Sequence, residues 1–142
     1  MIRKFETQDL GTVMQIWLEG NLDAHPFIPA SFWTGHFETV RDMLPQAELY
    51  VHENEATQQI DGFIGLTENH IEGIFVAKAA RSKGIGKALL EYTKSRKPRL
   101  TLSVYQKNER ALAFYRREQF IVQSEGIDED TNEADTQMLW TR

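Results

Sequence analysis

The sequence predicts an α/β fold built on one mixed, mostly antiparallel, twisted sheet with about four helices. Three observations predict it. Seven short segments read as strands, most of them alternating apolar and polar residues with a period of two. Four longer stretches repeat their apolar residues every three or four positions, as amphipathic helices do. Their order is strand, two helices, three strands, helix, strand, helix, two strands, and strands that follow one another without a helix pair antiparallel.

Each element has its own signal. Ile2–Phe5 is the first strand. Thr7 or Asp9 offers an N-cap, and Leu10, Val13, Met14 and Trp17 keep helical spacing to about Leu22. The stretch from Asn21 to Pro29 interrupts that pattern with two prolines around His25, Phe27 and Ile28. A second helix from about Ala30 carries Trp33, Phe37, Val40 and Leu44 on one stripe and stops before Pro45. Strands follow at Glu48–Glu53, Ile60–Thr67 and Ile71–Val76, the last two joined near Glu68, Asn69 and His70. Ile85, Ala88, Leu89 and Tyr92 mark a third helix ending by Lys97, ahead of Pro98. Leu100, Leu102 and Val104 form a strand, and a short helix runs from about Glu109 to Glu118. The last strands lie near Phe120–Ser124 and Thr136–Trp140, and the acidic stretch Glu125–Asp135 between them reads as a solvated hairpin loop.

Length and charge narrow the function. The 142 residues suit a single domain, residues 1–142, with a core that needs no staples. The chain has no cysteine, which removes disulfides, thiolate metal ligands and a cysteine nucleophile. Without a signal-peptide h-region or a spanning apolar run, a cytoplasmic location away from the membrane is expected. The formal charge of −5 argues against nucleic acid as a partner, but it is unevenly spread. Residues 1–77 carry three basic and twelve acidic side chains, net −9. Residues 78–117 carry twelve basic and two acidic, net +10, and residues 118–142 one basic and seven acidic, net −6. A basic middle in an acidic chain suits a small polyanion, although a solvated helix face would look the same.

The segment Arg81-Ser82-Lys83-Gly84-Ile85-Gly86-Lys87 opens the third helix. Glycines there expose unpaired backbone N–H groups at the positive end of the helix dipole, which favours phosphate. Arg81 and Ala88 do not fit a P-loop, and Leu89 stands where a dinucleotide fingerprint needs its third glycine. Glycines also serve plain tight turns; the cations Arg81, Lys83 and Lys87 favour an anion. His25, His36, His52 and His70 lack metal-ligand spacing, so no metal site is expected, and Ser103 has no nucleophile-elbow context.

With Val76 five residues before Arg81, this segment resembles motif A of the GNAT N-acetyltransferases. Asn108, Ala111, Phe114-Tyr115 and Phe120 resemble the same family's second run. The element order resembles the GNAT fold throughout, and the runs His25–Ile28 and Val104–Asn108 are similar to its small bacterial YiaC/YjaB-like branch. Three positions depart from the pattern: Lys78 stands for a frequent Pro, Ser82 for a frequent Gly, and Gln119 for the Gly that closes the last helix.

The resemblance implies transfer of an acetyl group from acetyl-CoA to a primary amine on a small molecule, a lysine side chain or a protein N-terminus, directly in a ternary complex. It implies that amides from Arg81 to Lys87 hold the pyrophosphate, through Arg81, Ser82, Lys83, Gly84, Ile85, Gly86 and Lys87. The strand edge at Phe75 and Val76 would pair with the pantetheine arm, an N–H near Val76 would face the oxyanion, and Asn108 would bind a pantetheine amide or cap its helix. Tyr115 takes the general-acid position. An alkylammonium must lose a proton at a cost of roughly 4–5 kcal/mol at pH 7. Glu72 is the chosen base, with His70, placed on the same strand face by alternation, and a water chain as alternatives. His25, Phe27 and Trp33 would line the acceptor pocket, whose acidity suits a cationic amine, while Trp17 reads as core. A homodimer stays open. The alternative is a non-catalytic acyl-CoA-binding sensor or interaction module of the same fold.

Overall fold

Alternation and helical spacing resolve into seven strands and four α-helices in the computed structural model, which describes residues 1–142. Strand β1 (Ile2–Lys4) leads through a 3-10 turn to helix α1 (Leu10–Ala24) and then α2 (Ala30–Met43). Strands β2 (Glu48–Glu53), β3 (Ile60–Thr67) and β4 (His70–Val76) precede helix α3 (Ile85–Lys94). Strand β5 (Arg99–Tyr105), helix α4 (Glu109–Arg117), and strands β6 (Ile121–Asp128) and β7 (Glu133–Thr141) complete the chain.

The sheet order is β1-β2-β3-β4-β5-β7-β6, and every neighbouring pair is antiparallel except β4–β5. Strands β2 and β3 alternate between two apolar layers. Leu49, Val51 and Phe63 meet Val13, Met14, Ile16 and Trp17 of α1 and Trp33 of α2. Tyr50, Ile64 and Leu66 meet Ile85, Leu89 and Leu90 of α3 and Tyr115 of α4. The sheet is therefore sandwiched, which is why β3 is buried on both faces.

Three local expectations change. Neither Thr7 nor Asp9 caps α1 with its side chain. Asp9 instead accepts from the Arg3 guanidinium at 2.9 and 3.0 Å and from the Glu6 amide at 2.8 Å. That charge-assisted pair holds the Asp9 carboxyl well below the usual range. Most of the acidic stretch Glu125–Asp135 is strand rather than loop, because β6 runs to Asp128 and β7 starts at Glu133. Strand β6 is a sheet edge with nearly every side chain exposed, so a charge such as Glu125 costs little in desolvation there and discourages edge-to-edge pairing. The third correction concerns β4, where the register with β3 skips Glu72 between Ile71 and Gly73. The bulge cancels the simple alternation that would set His70 and Glu72 side by side.

Two departures from glycine fall on left-handed backbone. Ser82 has φ 64° and Gln119 has φ 74°. Gln119 closes α4 in a Schellman arrangement: its amide bonds the Arg116 carbonyl at 3.1 Å, and the Phe120 amide bonds the Tyr115 carbonyl at 3.0 Å. A non-glycine residue there costs about 1 kcal/mol.

Candidate active site

Strands β4 and β5 pair only through His70–Thr101 and Ile71–Leu102. Beyond those residues they part, and a cleft of about 1410 Å³ opens between them. The bulge at Glu72 lies where the parting begins. The Ala77 amide bonds the Asp61 carbonyl on the β3 side at 2.8 Å. Counting back along the strand, Phe75 also faces β3, whereas the N–H and C=O of Ile74 and Val76 face the cleft. No strand pairs with that edge. Phe75 thus contributes its ring rather than its backbone: it stacks on Phe63 with centroids 5.2 Å apart. It also lies so close over Gly20 and Gly73 that a Cβ there would stand 2.9 and 2.4 Å from it.

The turn before α3 forms the next wall. Ser82 and Gly84 are both left-handed (φ 64° and 82°), and α3 starts directly after them at Ile85, where the first amides of a helix have no helical partner. Arg81, Ser82, Gly84, Ile85, Gly86 and Lys87 all line the cleft; Lys83, between the two left-handed residues, is exposed and lies outside the lining. Arg81 donates to the Val76 carbonyl at 3.2 Å and to Asp23 at 3.1 Å, which ties the turn to β4 and to the end of α1. A Cβ on Gly86 would stand 3.6 Å from Phe114 and 3.9 Å from Val76, so α3, α4 and β4 converge there. Lys87, Arg110 and Arg117 add positive charge to the same lining.

Helix α4 positions Asn108 and Tyr115. The Asn108 Oδ1 caps the helix by accepting from the Ala111 amide at 3.2 Å. Tyr115 is buried, its ring 5.2 Å from Phe114 and 5.6 Å from Phe120, inside the Schellman end that fixes its backbone. Burial alone pushes the phenol far above its ordinary pKa, with no hydrogen bond contributing. The hydroxyl therefore keeps its proton at neutral pH.

The opposite end is aromatic. His25 stacks on Trp33 at 5.2 Å and meets Phe27 and Tyr105 edge-on at 5.7 and 5.1 Å. Burial lowers the His25 pKa to about 4. Asp128 and Asp135, from the β6–β7 hairpin, border this group. Asp128 accepts from the Tyr105 hydroxyl at 2.6 Å, and burial together with that bond pushes Tyr105 up to about 12. Lys107 sits 5.6 Å over the Phe27 ring and 2.8 Å from Glu133.

The cleft brings together Tyr115, Glu72, Phe75, Val76, Asn108, His25, Phe27 and Trp33, along with the turn residues. It leaves out His70, whose Nδ1 lies 2.8 Å from Thr101 Oγ1. Sequence reasoning missed Ile74, Tyr105, Asp128 and Asp135 as lining residues. Tyr105 was within reach, because it follows Val104 directly and precedes Asn108.

A family model described as "Acetyltransferase (GNAT) domain" matches residues 45–122, more than half of the chain. The chain belongs to the GNAT acetyltransferase family. It is 35% identical to the peptidyl-lysine N-acetyltransferase YiaC of Escherichia coli K12 over 99% of this chain and 96% of that one. It is 33% identical to the peptidyl-lysine N-acetyltransferase YjaB of the same strain over 85% and 82%. The solution structure of YjaB from Escherichia coli superposes with a TM-score of 0.87 at 29% identity, covering 98% of this chain and 95% of that one. The splayed sheet is therefore the GNAT fold, and this GNAT enzyme is an acyltransferase that moves an acetyl group from acetyl-CoA to an amine. The cleft fits that cosubstrate, since a free strand edge suits the amides of pantetheine and the basic turn suits the pyrophosphate. No cluster of side chains able to hold a metal ion is present, and no helix is long and apolar enough to cross a membrane.

Proposed function

We propose that this acetyltransferase modifies lysine side chains of proteins, using residues 1–142 as one domain in the cytoplasm. The observation that carries the acceptor assignment is the 35% identity, across nearly the whole chain, to a peptidyl-lysine acetyltransferase. Its acidic, aromatic acceptor end supports a cationic side chain over a neutral amine. In this reading amides of the turn from Arg81 to Lys87 bind the pyrophosphate, assisted by the Arg81 and Lys87 side chains. The cleft-facing N–H and C=O of Ile74 pair with the pantetheine arm, while the Val76 carbonyl stays with Arg81.

The lysine amine attacks the thioester carbon. A C–N bond forms, the C–S bond breaks, and the amine loses a proton. The Val76 amide donates to the carbonyl oxygen as charge gathers on it. Glu72, exposed at the bulge where the strands part, receives the amine proton directly or through water. Tyr115 gives its proton to the departing sulfur and regains one from solvent. One copy holds every proposed group, so the reaction does not require a homodimer, and neither nucleic acid nor membrane takes part.

The test is mass spectrometry of synthetic peptides, N-termini blocked and one lysine free, after incubation with acetyl-CoA. Acetylated lysine with matching thiol release is expected. Thiol release only with small amines, or only with peptides whose N-terminus is free, would replace the lysine assignment.

A further inference from the structure

His25 joins the two walls of the cleft. It lies in the break between α1 and α2, and its Nε2 is 3.5 Å from the Nδ2 of Asn108 at the start of α4. Asn108 Oδ1 is committed to the Ala111 amide, so the group facing His25 is the donor –NH2. With that donor toward Nε2 and the Asn21 carbonyl toward Nδ1, the proton sits on Nδ1 and Nε2 is the acceptor. Nδ1 is buried against the Asn21 carbonyl without a well-formed hydrogen bond. Three aromatic rings hold the imidazole in place.

At 3.5 Å the Asn108 contact is at the outer limit of a hydrogen bond, so the Nε2 lone pair is only weakly engaged. The only other ring nitrogen is sealed from the cleft, and so Nε2 is the polar atom that His25 offers inside its aromatic surround. A lone pair of this kind attracts a strong N–H donor.

We propose that His25 is an acceptor-binding residue: a neutral imidazole of fixed tautomer whose Nε2 accepts a hydrogen bond from the incoming amine and orients its nitrogen. This deepens the lysine reading above and rests on it. Depressed basicity fits the role, because such an imidazole holds the amine without taking its proton, which leaves deprotonation to Glu72 or water.

The test compares His25→Phe and His25→Gln with the unaltered enzyme on the blocked lysine peptides. His25→Phe keeps an aromatic ring but loses the acceptor. It should raise the peptide KM by about tenfold or more and leave the acetyl-CoA KM within about twofold. His25→Gln, which places an amide oxygen near Nε2, should recover most of the loss. An unchanged peptide KM in His25→Phe, or a rise confined to acetyl-CoA, would overturn the proposal.

Nitrogen NMR of the 15N-histidine-labelled enzyme, with n-butylamine as probe, decides the question even if lysine peptides prove to be the wrong acceptors. The His25 signals should report a proton on Nδ1 and none on Nε2, and only Nε2 should move as butylamine is added. A proton on Nε2, or no movement, overturns the role of His25 separately from the choice of acceptor.

Discussion

Tyr115→Phe should lower kcat by about 10²–10⁴-fold while leaving acetyl-CoA affinity within about twofold. The expectation follows from where the hydroxyl sits. The ring belongs to the layer with Phe114 and Phe120, and phenylalanine preserves those contacts. The hydroxyl lines the cleft and has no hydrogen-bond partner in the protein, so removing it strands no buried group. Stability should therefore hold within about 0.5 kcal/mol, and the loss should fall on the chemical step alone. Calorimetric titration with CoA and steady-state thiol release separate these quantities. Unaltered turnover across acceptors would remove Tyr115 from the mechanism. A large loss of CoA binding would make it a cofactor contact instead.

Leu89→Ala should destabilise the protein by about 2–5 kcal/mol, the range for a fully buried leucine. Leu89 has no exposed surface and packs with Leu90, Ile64 and Leu66 between α3 and the sheet. Its Cδ1 lies 3.4 Å from where a Cβ on Gly62 would stand, so the side chain fills the notch that this glycine leaves in β3. The cavity would loosen the helix whose first turn carries Gly84, Gly86 and Lys87. The midpoint of thermal unfolding should drop by roughly 10 °C, and acetyl-CoA KM should rise more than peptide KM. Circular dichroism melts with and without CoA, beside the two KM values, check both parts. A melt within about 2 °C of the unaltered enzyme would mean that α3 is not held as described.

Much of the fold was legible because its signals are local. Strands β2 and β3 begin and end where they are read from the sequence, β2 from the alternation of Leu49 and Val51 and β3 as an apolar run that lies buried on both faces. Strand β6 hid its length because it is an edge with no buried face to impose alternation, and its acidic residues imitate a loop. The turn before α3 and the Asn108–Tyr115 run were legible as motifs. Their assembly was not, because the cleft depends on two long-range facts: β4 and β5 pair through only two residues, and β4 carries an extra residue at Glu72. Strict alternation placed His70 beside Glu72, and the bulge separates them. The acceptor end was half visible. His25, Phe27 and Trp33 were picked out around a proline-rich break, while Asp128 and Asp135 reach the cleft only because the β6–β7 hairpin folds back beside Tyr105.

In the proposed complex acetyl-CoA lies along the free edge of β4. Amide hydrogen exchange read residue by residue, with and without acetyl-CoA, tests it most directly. Ile74 and Val76 should exchange quickly in the free enzyme and slow by about tenfold or more with acetyl-CoA bound, whereas Phe75, facing β3, should be protected in both. Protection by acetyl-CoA that spares Ile74 and Val76 and appears elsewhere would contradict this placement.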